Sequence, residues 1–241
     1  MFTMIYSAVH GSSRCMQALK ISEISSESLK DGMFIREFPE FYALQGVVEH
    51  GSWHEHQDVF EHCIAVYAAL EEQLAFKTVP AKNKVAALRF LGEVVGQKSR
   101  LENLKVATLL HDIAKPHTLI AAENGTAHCP GHEHIAAGMV HKFADVFDLD
   151  VADTSYVKNL VLHHGFISAI VAQAVAKPDK ATFFWDMFVE SVGSGAYELA
   201  IFMQADLQGS DLQKNDSMAF HNYTNQLAEW IQEKIPKSVL L

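Results

Sequence analysis

The run TLLHDIAKP at residues 108–116 sets an imidazole beside a carboxylate, His111 next to Asp112, at the end of an apolar stretch. Burying either group among leucines is costly unless it is paired, hydrogen-bonded or bound to a metal. Similar polar groups recur at helical intervals elsewhere. His62 falls three residues after Val59 and four before Val66. His132 begins a face continued by Ile135 and Met139. His164 takes the next inward position after Val157, Leu160 and Val161. Asp206 does the same after Leu199, Phe202 and Met203. Residues at such spacings share one helix face, so each polar group ends or joins an apolar stripe. One shared metal would satisfy all of them. His163 points elsewhere on an ideal helix, but as the neighbour of His164 it stays in the candidate set.

The ligand types narrow the chemistry. A structural zinc site of the thiolate kind is not indicated, because Cys15, Cys63 and Cys129 are widely spaced. Imidazoles mixed with carboxylates suit Mn, Fe, Co, Ni or Zn, and the sequence does not choose among them. Such a centre lowers the pKa of bound water and polarises phosphoryl oxygens. Asp112 is placed to orient that water. Lys115 reads either as a helix-end residue favoured by the macrodipole or as a phosphate-binding cation beside the metal; the second reading makes it a catalytic candidate with Asp112. Fourteen residues are His. His54, His56, His128 and His134 are assigned to the cleft edge or the surface. His10, His50, His117, His141 and His221 carry no assignment. Phe183, Phe184, Trp185 and Phe188 read as core packing.

These side chains need helices to hold them. The apolar periodicity predicts helices over 58–76, 82–97, 101–114, 132–146, 153–164, 166–176, 180–191, 195–210 and 217–234. Turn signals separate them: Thr78-Val79-Pro80, Asn124-Gly125, Pro130-Gly131 and Lys177-Pro178-Asp179. Alternating strand patterns are scarce, so the expected fold is all-α. Residues 1–50 are mixed in character and read as an N-terminal arm, with a helical domain and a C-terminal helix over 51–241. Leu227, Trp230 and Ile231 are free to pack on the core or on a second copy, so a homodimer stays open.

The bulk composition excludes several classes. The chain has 241 residues, 49% of them hydrophobic, enough for one large domain. A net charge of −10 argues against a broad nucleic-acid footprint. It also means that an anionic substrate needs a metal or a local cation. The odd, scattered cysteines fit a reducing cytoplasm. The first residues lack a basic stretch leading into an apolar one, and no window is apolar enough for a membrane span, so neither secretion nor a membrane is expected.

The order His62, His111-Asp112, Asp206 resembles the signature of the HD superfamily of metal-dependent phosphohydrolases. The segments WHEHQDVFEH at 53–62, LLHDIAKP at 109–116 and GHEHIAAGM at 131–139 are similar to the HD domain of bacterial CCA-adding tRNA nucleotidyltransferases. The resemblance covers roughly residues 50–210, without the nucleotidyltransferase half. It implies an HD-type helical bundle around a buried metal, with His62, His111, Asp112 and Asp206 as ligands. In binuclear members further histidines hold a second ion, and His132 with His164 or His163 match those positions. The implied activity is hydrolysis of nucleotides or related phosphate esters by water activated at the metal. The chain reads GFISAI after His163-His164, which departs from the pattern of cyclic-di-GMP phosphodiesterases. Two rivals remain: an HD-fold di-iron oxygenase resembling inositol oxygenase, and a non-catalytic nucleotide-sensing module. A Lys three residues after the HD aspartate favours hydrolysis over the oxygenase.

Overall fold

A computed structural model of the chain describes residues 18–51, 53–55, 57–75 and 81–236. The expectations for His10, Cys15, His56 and the turn at 78–80 lie outside the described residues. A 3-10 turn at Ile21–Glu23 precedes α1 (Ser26–Lys30) and α2 (Pro39–Tyr42). Then follow α3 (Val59–Leu74), α4 (Ala81–Leu91), α5 (Arg100–Leu110) and the short α6 (Lys115–Thr118). A hairpin of β1 (Ile120–Ala121) and β2 (Ala127–His128) leads into α7 (His132–Met139) and α8 (Ala144–Phe147). The chain finishes with α9 (Val151–His163), α10 (Phe166–Ala176), α11 (Ala181–Val192), α12 (Ala196–Gly209), α13 (Leu212–Asn215) and α14 (Ser217–Glu233). The fold is all-α, and the hairpin is the only sheet among the described residues. Its turn is the Asn124-Gly125 signal, with Gly125 at φ 83°.

The caps are written in the sequence. Asp58 accepts from the Glu61 N–H to start α3, and Ser99 with Glu102 forms a capping box on α5. Asp150 and Asp153 do the same for α9. The helix expected over 132–146 is broken. Residues Val140–Phe143 wind as a 3-10 helix, which brings Val140 and Phe143 to one buried side where α8 continues with Phe147. Ile135, expected on the buried face of α7, is exposed; Ala136 and Ala137 take that face.

α12 is the central helix, buried along nearly its whole length. It lies on α3 so closely that a Cβ on Gly209 would stand 2.6 Å from the Val66 backbone nitrogen. α9 packs against α5 and α7. The segment before α3 belongs to the same core: the Phe38 ring meets Phe143 and Phe147 edge-on at 5.4 and 5.2 Å. On α14, Leu227, Trp230 and Ile231 are buried in the chain's own core, with Trp230 against Trp185. Phe184, Trp185 and Phe188 are core residues as expected, whereas Phe183 faces solvent. No single described helix is long and apolar enough to cross a membrane.

Asp153 fastens α9 to the start of α5. Its fully buried carboxylate accepts from the backbone N–H of Gly96, Gln97 and Lys98 and from the Asn103 side chain. Burial alone would raise its pKa, but these donors hold it below the usual 3.8. A carboxyl with a lowered native pKa stabilises the fold above its ordinary pKa and loses that contribution as pH falls through the native value. Asp153→Asn is therefore expected to cost about 1–3 kcal/mol at pH 7. Denaturant melts should show the gap between the two proteins narrowing as pH drops below 3.8.

Candidate metal centre

The polar residues of α3, α5, α7, α9 and α12 meet in one cavity of about 460 Å³. His111 is the residue that closes α5, and His164 likewise closes α9. Pro116, which cannot donate to a carbonyl, starts α6 afresh and leaves residues 111–114 as a turn between two helices. His132 opens α7. His62 lies near the start of α3 and Asp206 near the end of α12. His62, His111, Asp112 and His164 are almost wholly buried.

The four imidazoles are oriented alike. Each gives its Nδ1 proton to a main-chain carbonyl: His62 to Gly209 at 3.3 Å, His111 to Thr108 at 2.7 Å, His132 to Cys129 at 2.8 Å and His164 to Val161 at 2.6 Å. A neutral imidazole has one N–H, so each Nε2 turns a lone pair toward the cavity. There it meets other acceptors. His62 Nε2 lies 3.0 Å from Asp206 Oδ1, and His111 Nε2 lies 3.2 Å from Asp112 Oδ2. His132 Nε2 lies 3.2 Å from both Asp112 Oδ1 and His164 Nε2. Neither His111 Nε2 nor Asp112 Oδ2 makes a well-directed hydrogen bond, although both are buried. The carbonyl bond alone does not mark a ligand, since exposed His141 makes it with Gly138. The convergence of acceptors is the distinguishing feature.

Such contacts are repulsive unless a cation sits among them. Protons supply part of the answer. Burial opposes charging His111 and His132, yet the Asp112 carboxylate outweighs it and raises both. They do not supply the rest, because burial lowers His164 to about 4 and His54 to about 3. Asp112, despite its burial, is held well below the carboxylate range by His111 and Lys115, and Asp206 is lowered by His62. A divalent ion suits the whole set. His62, His111 and Asp206 offer ligand atoms within 4.8 Å of one another, and so do Asp112, His132 and His164. Cys63 stands close enough to join His111 and Asp112, although burial pushes its thiol pKa far up.

His163 drops out of the candidate set. Its Nδ1 donates to Asn159 O, and it neither lines the cavity nor joins a ligand group, because one residue along α9 turns it about 100° away from His164. Lys115 does line the cavity, but it is not a free cation. Its Nζ lies 3.0 Å from Asp112 Oδ2 and 2.5 Å from Glu49 Oε2. Glu49 has no helical signal in the sequence, and nothing there singles it out. His50, assigned no role, also lines the cavity, with His54, His128, Trp53, Ser168 and Met203. The His54 ring packs edge-on against His62 at 4.4 Å. His134 is on the surface.

These features define a helical metal-site protein with an HD pair at its centre. The family model described as HD domain matches residues 59–180, just over half of the chain, and the chain belongs to that family. Asp206 lies beyond the matched span. No curated protein matches the chain.

Two outcomes follow from the geometry. Protons and metal compete for the same Nε2 atoms, so metal affinity should weaken as pH falls through the raised pKa values of His111 and His132. Calorimetry in buffers of different ionisation enthalpy should detect proton release on binding. Gly209→Ala should force α12 away from Val66 and pull its carbonyl from His62. A loss of about 1–3 kcal/mol of stability is expected, together with weaker Mn binding at temperatures where the variant remains folded.

Proposed function

We propose that the chain is a metal-dependent phosphohydrolase acting on nucleotides or related phosphate esters. The observation that carries this reading is the position of Asp112. Its Oδ2 faces His111 and, at 3.7 Å, His62, while its Oδ1 faces His132. One buried carboxylate thus joins the two histidine groups. We assign His62, His111, Asp112 and Asp206 to one ion, and Asp112, His132 and His164 to a second. Ions held there supply Lewis acidity, which lowers the pKa of water and polarises a phosphoryl oxygen.

The chain's own groups do the remaining work. Lys115 Nζ is fixed by two carboxylates, which leaves its third N–H to meet a phosphoryl oxygen from a set direction. The five helices keep Asp112 and the imidazoles from relaxing around the substrate, so the electrostatic arrangement exists before binding. Trp53, stacked with Tyr223 and tied through its carbonyl to the Asp211 N–H, gives the cavity an aromatic wall suited to a base. Among HD proteins, the local sequences support closeness to the domain found in CCA-adding enzymes.

The decisive experiment is elemental analysis joined to a phosphate-release screen with added Mn, Co, Ni and Mg. Metal-dependent release from a nucleotide should fall by roughly 10²-fold or more in Asp112→Ala. Two irons per chain with oxygen consumption and no phosphate release would replace this reading with the oxygenase. Tight nucleotide binding without turnover under every metal would replace it with the sensing module.

A further inference from the structure

The only side chains of fixed charge lining the cavity among the described residues are Glu49, Asp112, Lys115 and Asp206. Three are anionic and one is cationic. Lys115 is shared between two of the anions, at 2.5 Å from Glu49 and 3.0 Å from Asp112. Asp112 and Asp206 already belong to the metal reading. Glu49 does not: it contacts neither imidazole group, and the shortest polar contact of its Oε2 is with Lys115. Its other oxygen, Oε1, accepts from the Cys129 N–H at 2.9 Å, in the loop whose Cys129 carbonyl orients His132. The Glu49 side chain is therefore held at both oxygens and is only 14% exposed. It presents a fixed negative charge inside a site meant to receive phosphate.

We propose that Glu49 is a specificity-determining residue that restricts the site to substrates carrying a single phosphoryl group. The proposal rests on the phosphohydrolase reading above. One phosphoryl group bound at the metal centre can still use the third N–H of Lys115. A second phosphate would bring further negative charge against Glu49, and the cavity lining offers no other Lys or Arg among the described residues to meet it. Lys115 offsets Glu49 only in part, because it is shared with Asp112, so a second phosphate meets net negative charge on that side of the cavity. Monophosphates and phosphodiesters are thus accepted, and nucleoside di- and triphosphates are disfavoured by repulsion instead of by size.

The test is equilibrium binding of inorganic phosphate and of pyrophosphate at pH 8, to protein loaded with Mn and to chelator-treated protein, in wild type, Glu49→Gln, Glu49→Asp and Glu55→Gln. Wild type should bind pyrophosphate no more than about threefold tighter than phosphate. Glu49→Gln keeps the side-chain shape and an acceptor for the Cys129 N–H. It should tighten pyrophosphate by about tenfold while moving phosphate far less. Glu49→Asp keeps the charge and should keep the wild-type ratio. Glu55, exposed and without contact to Lys115, controls for the loss of one negative charge anywhere near the cleft. A merely structural Glu49 would weaken both ligands together, and that outcome overturns the proposal. A wild-type protein that strongly prefers pyrophosphate overturns it without any variant, even if Glu49→Gln does not fold. Because the readout is binding, absence of phosphate release from every ester would defeat the phosphohydrolase reading separately.

Discussion

Four imidazoles depend on one kind of contact, the gift of an Nδ1 proton to a main-chain carbonyl. That contact settles which nitrogen of each ring is a lone pair and where it points. Without it, His62, His111, His132 and His164 would be buried polar groups free to turn toward any partner. With it, their Nε2 atoms and the carboxylates of Asp112 and Asp206 are set against one another as acceptors facing acceptors. Three helices and the loop before α7 supply the carbonyls, the core supplies the burial that makes the arrangement expensive, and a cation is what relieves it.

Much of this was legible in the residues. His111-Asp112 beside a Pro, and polar groups closing apolar stripes at helical spacing, pointed to the cluster and to an all-α fold. Burial of His62, His111 and His164 follows from that periodicity. The parts that were not legible share a cause. Glu49, His50, His54 and His128 come from segments without helical period, where spacing says nothing about direction. Glu49 reaches the site because it is held from both ends, by Lys115 and by the Cys129 N–H, which are contacts distant in sequence. Ile135 was misplaced because α7 is short and passes into a 3-10 turn, so ideal spacing from His132 selected the wrong side. The tie between Lys115 and Glu49 was missed for the same reason: the two residues are distant in sequence.

Among the described residues, the cavity is therefore a crowded carboxylate site whose one lysine is already paired. Lys115 remains charged, since both carboxylates raise its pKa above the ordinary range despite burial. Its value to the site is direction more than net charge. The overall charge of −10 gives the chain no general attraction for anions, so the lysine's paired position matters more than the total.

One asymmetry among the four histidines remains. His111, His132 and His164 take their carbonyls from three residues earlier in the chain, so their rings are set as soon as each local turn exists. His62 takes its carbonyl from Gly209, 147 residues away. Its orientation is available only after α12 has docked on α3, which Gly209 permits by lacking a side chain. Three of the imidazoles are thus oriented by local turns and the fourth by tertiary packing. The orientation of His62 therefore depends on a contact between the two ends of the domain, and α12 seated against α3 is part of what prepares the site.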